Sequence, residues 1–193
     1  MARMKQITDR EGLNGEQQAV FDSIAGGARG GVRGPHSILL HRAEVAAPLD
    51  KLGAYLRYEC AIPERQRELA ILVVAASWQA EYEWFAHAPL AAKAGIAQEV
   101  IDAVGRRETP EFEREDDALV HRFAQELLET KQVSGTTYGL VEGLFGAAAV
   151  IDLVALLGYY TTIAMVLNAF EVAPPEALDY PWSNQEGRGP LFP

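Results

Sequence analysis

One cysteine, Cys60, is all the thiol chemistry available to this chain of 193 residues. No internal disulfide framework can form, and a lone thiol fits a reducing cytoplasm. Basic charge is also in short supply: 17 Lys and Arg stand against 27 Asp and Glu, a formal net charge of −10. That balance argues against nucleic acid or an anionic membrane as partner, and an anionic substrate would need a local basic spot. The N-terminal stretch MARMKQITDREGLNGEQ has basic residues but no apolar run behind them, so a signal peptide is not expected. Five glycines fall within Gly26–Pro35, yet neither GxGxxG nor GxxxxGK[ST] appears, so a phosphate cradle has little support. The most apolar run, AAAVIDLVALLGYYTTIAMVLNAF, is interrupted by Asp152, Gly158, Tyr159, Tyr160, Thr161 and Thr162 and lacks flanking Lys or Arg. It reads as a buried helix rather than a membrane span.

Strand alternation is nearly missing as well, and helical spacing takes its place. Asn14 is placed to cap a first helix through EQQAVFDSIAGG. A short helix and a longer one follow through HSILLHRAEVAAPLDKLGAYLRYE, with Leu49, Leu52, Tyr55 and Leu56 on one face. Pro63 suits the first turn of the next helix, which runs to around Ser77. A further stretch from about Ala80 to Ala94 stops at Gly95. TPEFEREDDALVHRFAQELLETK starts acidic and ends basic, in accord with the helix dipole. The expected fold class is all-α: an N-terminal helix and Gly-rich loop over 1–34, a helical domain over 35–172, and a Pro- and Gly-rich extended arm over 173–193.

The chemistry concentrates in RELAILVVAASWQAEYEWFAH. Glu83 and His87 stand four apart and therefore share a helix face. A carboxylate beside an imidazole favours its protonated form and fixes its orientation. Glu68 lies on the preceding helix among Leu69, Leu72 and Val73, where a carboxylate needs a partner across the helix pair, and His87 is the candidate. Trp78, Tyr82 and Trp84 are candidates to line a pocket there, with core packing the alternative for both tryptophans. His36 and His41 flank SILL, and either one reaching the pocket competes with a structural role; His121, in a charge-rich helix, reads as solvated. An exposed Glu83–His87 pair would contribute only ~0.3–0.5 kcal/mol, so the alternative of a plain surface pair stays open on spacing alone.

These residues resemble the carboxymuconolactone decarboxylase family, whose superfamily includes the alkylhydroperoxidase D-like proteins. Thiol-bearing members carry a glutamate, a CxxC beginning twelve residues on, and a histidine four residues after the second cysteine. Glu68 and His87 match the glutamate and histidine; Ala80 and Glu83 stand where the cysteines would be. EYEWFAH is similar to the cysteine-free EYEWxxH branch, and LLGYYTTIAMVLNAF resembles the family's last core helix. The likeness runs over roughly residues 35–170. It implies an alkylhydroperoxidase D-like helical bundle, usually assembled as a homotrimer or homohexamer with the pocket near a subunit interface. A disulfide-cycling peroxidase needs an attacking and a resolving thiol, and Ala80 and Glu83 supply neither.

What remains is acid–base apparatus. The expectation is a cytoplasmic enzyme working without a cofactor on a small molecule, decarboxylating or isomerising an unsaturated lactone or related carboxylate. His87 is the proton donor, Glu68 its orienting partner and Glu83 a second acid; Tyr82, Trp84, Trp78 and His41 are the candidate substrate contacts. Arg57, Arg65 or another arginine would hold an anionic substrate. Two alternatives stand beside this: a metal-dependent enzyme using Glu83 and His87 with Glu68 and His36 or His41, and a non-catalytic ligand binder.

Overall fold

The structure is a computed structural model describing residues 2–176 and 179–182, which form nine α-helices and no strand. Helix α1 (Gly15–Gly26) opens on a reciprocal capping box, Asn14 accepting from the Gln17 backbone N–H and Gln17 from that of Asn14. Helix α2 (Pro35–Leu39) starts on proline directly after Gly34, whose φ is +55°. Then come α3 (Ala43–Tyr58), α4 (Glu64–Trp78), α5 (Glu81–Lys93) and α6 (Gln98–Gly105). The last three are α7 (Glu115–Thr130), α8 (Gly135–Phe145) and α9 (Ala147–Ala169).

Helix α4 is the centre of the fold. Residues Leu69 to Ala76 are buried on every side, and α5, α6, α7 and α9 all pack against it. A helix apolar around its whole circumference has no solvent face, so a carboxylate within it must find a partner in the protein. Helix α9 runs beside it, with Leu153, Leu156, Leu157 and Ile163 buried. Asp152, the one acidic residue of α9, is buried and accepts hydrogen bonds from the Tyr55 hydroxyl at 2.9 Å and the Ala61 N–H at 2.8 Å. It ties α9 to α3 and to the link into α4.

Several elements differ in detail from the expectation. Pro63 precedes α4 as its N-cap, with extended backbone (φ −58°, ψ 149°), where its missing N–H is equally harmless. On α3, Leu56 is buried but Leu52 and Tyr55 are exposed. The inward face is built instead from Ala46 and Gly53, because a side chain at Gly53 would sit 2.2 Å from the Tyr159 hydroxyl. His121 is buried beside the Phe112 ring rather than solvated, and burial lowers its pKa to about 4. The basic end of α7 is its C-cap Lys131, at φ +66°, whose ammonium donates to the Leu128 carbonyl. In the C-terminal arm Tyr180 and Trp182 are buried, Trp182 meeting Trp84 edge-on at 5.3 Å. Residues 177, 178 and 183–193 of that arm lie outside the described residues.

Candidate active site

The α4–α5 link is short: Gln79 in the left-handed region (φ 48°, ψ 40°), then Ala80 as N-cap. With so little chain between them, the two helices pack together and their polar residues meet. The His87 Nδ1–H donates to Glu68 Oε2 at 2.7 Å, and both side chains are about 4% exposed or less. Nε2 of the same ring faces Glu83, at 3.4 Å from Oε2. That is ion-pair range without hydrogen-bond alignment, and Glu83 Oε2 is buried without a hydrogen-bond partner. The Tyr160 ring stands edge-on to the imidazole at 5.1 Å. Burial pushes the Glu83 carboxyl above the ordinary carboxylate range, against the pull of His87 and of the Arg57 and Arg29 guanidiniums. Nδ1 is committed to Glu68, so Nε2 is the nitrogen left for chemistry.

This chain of groups opens on a cavity of about 490 Å³ lined by Tyr82, Glu83 and His87, within the range of small-molecule sites. Glu68 stands behind His87 and does not line it. Residues far away in sequence line the same cavity: Arg29 and Arg33 from the Gly-rich loop, His36 from α2 and Arg57 from α3. Tyr159 and Tyr160 of α9 complete it. Arg29 pairs with Asp50 at 3.0 Å and donates to the Tyr159 hydroxyl at 3.4 Å. Burial pushes the Tyr159 phenol up to about 12. Burial, with Arg29 and Arg57 nearby, drives the His36 pKa down to about 3, so its ring is neutral.

Of the expected substrate contacts, Tyr82 alone lines the cavity. Trp84 is turned to Trp182, where it gains an aromatic partner, and the Trp78 ring packs on the hydrophobic core while its carbonyl accepts from Asn168 at 2.8 Å. His41 is exposed and donates from Nε2 to the Lys5 carbonyl at 2.8 Å, which holds the N-terminal segment and keeps it from the cavity. Between the two arginines named from sequence, Arg57 is at the cavity and Arg65 is engaged by Asp117 at 2.7 Å. Arg29 and Arg33 were missed. The one signal for them was two arginines in ARGGVRGPH, a glycine-rich stretch with no periodicity to orient them. Cys60 donates its thiol to the Leu56 carbonyl at 3.0 Å, away from the cavity. Among the described residues no three His, Cys, Asp or Glu side chains converge as a metal-ligand set.

The family model described as carboxymuconolactone decarboxylase family matches residues 43–118, from the start of α3 into α7. No curated protein matched the chain by sequence. Among solved structures, an alkylhydroperoxidase AhpD core, an uncharacterized peroxidase-related protein from Ralstonia eutropha JMP134, has a TM-score of 0.74 at 15% identity, over 91% of this chain and 93% of that one. A peroxidase-related protein from Silicibacter sp. TM1040 has 0.70 at 16%, over 90% and 95%. The debrominase Bmp8 in complex with 2,3,4-tribromopyrrole has 0.66 at 12%, over 89% and 92%. At these identities the likeness is one of fold. The segment similar to the carboxymuconolactone decarboxylase family carries Glu68, Glu83 and His87 together, and the fold around it is the one seen in the alkylhydroperoxidase D-like structures.

Proposed function

We propose that this chain is a cofactor-independent acid–base enzyme that decarboxylates or isomerises a small unsaturated lactone or related carboxylate. The observation that carries the reading is a buried Glu68–His87–Glu83 chain of groups whose free end opens on a cavity that arginines also line.

In the decarboxylating form, the bond between a ring carbon and its carboxylate breaks and CO2 leaves. The electron pair delocalises into the unsaturated ring as a dienolate. A proton carried on His87 Nε2 then forms the new C–H bond. Glu68 holds the ring by Nδ1 so that Nε2 points at the reacting carbon, and Glu83, inclined by burial to keep a proton, resupplies it. In the isomerising form the same pair removes a proton at one carbon and returns it at another. The buried floor at Glu83, His87 and Tyr160 suits either, since charge spreads there from a localised carboxylate or carbon acid into a delocalised anion. The family match supports this class of chemistry, and the lack of a second cysteine speaks against a thiol cycle within one chain.

The test is a panel of unsaturated five- and six-membered lactone carboxylates incubated in D2O. The expected result is CO2 release with one deuterium at the newly protonated carbon, or a shifted double bond. Turnover of none of them, or decarboxylated product formed without deuterium, would end the proposal.

A further inference from the structure

Three arginines line one cavity in a chain whose net charge is −10. They are not equivalent. Arg29 is 13% exposed and already neutralised by Asp50. Arg33, on the exposed loop, donates to the Arg29 carbonyl at 2.7 Å, and Arg57 lies 5.6 Å from the centre of the Tyr58 ring. Among the described residues, neither of these two forms an ion pair with a carboxylate, though Arg57 acts on Glu83 through space. His36, 5% exposed, lines the same cavity, its Nε2 3.8 Å from Asp50 Oδ1 without hydrogen-bonding to it. Exposure orders the cavity: Arg33 and Tyr58 at the opening, Arg57 half-buried, and Glu83, His87 and Tyr160 buried at the floor.

We infer that Arg33 and Arg57 hold a carboxylate of the substrate as a handle that does not react, so that the substrate is a small ring carrying an anionic substituent set away from the carbon at Glu83 and His87. The inference rests on reading the floor of the cavity as the acid–base centre. Guanidinium binds carboxylate with charge-assisted, planar hydrogen bonds. Such bonds stabilise the ground state of a carboxylate and oppose its loss as CO2, because they weaken as its charge leaves. A carboxylate gripped by these arginines is therefore retained through the reaction. Arg33 precedes the segment matched to the family, so this handle is a specificity device supplied in part by the Gly-rich loop.

Calorimetric titration with 2-furoate and with its uncharged isostere 2-furamide tests this on binding alone. The wild type is expected to bind 2-furoate about tenfold or more tightly than 2-furamide. Arg33→Gln and Arg57→Gln should each erase about tenfold of that preference, the size of one charge-assisted contact, and leave 2-furamide binding unchanged. Arg57→Lys should retain part of it. Arg33 is exposed, so its variant keeps the fold even if Arg57→Gln does not. His87→Ala should keep the 2-furoate preference. Arginine-dependent 2-furoate binding by a protein that turns over no lactone would sink the proposed reaction and leave this inference standing. Equal affinity for the two ligands, no detectable 2-furoate binding, or indifference to both glutamine variants would overturn it.

Discussion

His87 is held between two carboxylates whose surroundings differ. Glu68 accepts a 2.7 Å hydrogen bond inside α4, whereas Glu83 lies 3.4 Å from the other nitrogen with an oxygen left unpaired at the cavity. Desolvation of that oxygen favours the protonated acid. Linkage gives the sign: a carboxyl whose folded pKa lies above its ordinary 4.5 contributes stability that is present below pH 4.5 and is lost as pH rises through the folded value. Glu83→Gln removes the titration. Urea unfolding at a series of pH values should show the wild type losing stability relative to Glu83→Gln as pH rises from 4.5, with the variant the more stable at neutral pH. A constant difference across that range would mean that Glu83 titrates alike in the folded and unfolded chain, without the upward shift. The meeting of Glu68, Glu83 and His87 was legible because two of them share a helix face and the third sits where a lone carboxylate is untenable. The arginines were not, since Arg29, Arg33 and Arg57 become neighbours only through tertiary packing.

The Gly-rich loop and α2 matter more than their lack of periodicity implied. Gly34, the N-cap of α2, has φ +55° and ψ −130°, a conformation open to glycine and strained for any other residue. A Cβ there would lie 2.6 Å from the Tyr82 ring. Glycine thus does two things: it turns the chain into α2 and seats Tyr82 against the loop that carries Arg33. Gly34→Ala is expected to cost about 1–3 kcal/mol through the backbone alone and to displace Tyr82. Chemical denaturation checks the first and Tyr82 fluorescence or ring NMR shifts the second; unchanged stability would show that the turn tolerates a side chain. Elsewhere helix existence was readable from spacing, caps and the glycine stops. Which face turned inward was not. On α3 the close approach of Tyr159 and Arg29 to Gly53 selects a small-residue face, and on α5 the partner of Trp84 is Trp182, nearly a hundred positions away.

Across the whole molecule, an all-helical fold built around α4 brings residues as far apart as Ala28 and Pro175 to one cavity. The fold class and the likeness to the decarboxylase family were open to reading because the motif lies within one continuous stretch, residues 68 to 87, inside the matched segment. The arginine-bearing part of the cavity depended on Arg29 of the loop and Tyr159 of α9 meeting beside Gly53 of α3, and no local pattern encodes that meeting. The proposed chemistry requires Glu68 and His87 to act as a unit on a proton. The most direct measurement is the kcat/KM of purified His87→Ala and Glu68→Gln on a lactone carboxylate that the wild type converts, with folding checked by circular dichroism. General acid–base groups are worth ~10²–10⁴ in rate. Both variants are expected to fall within that range, and the double variant should fall little further than His87→Ala alone. Losses below about tenfold in both, in folded protein, would contradict the claim.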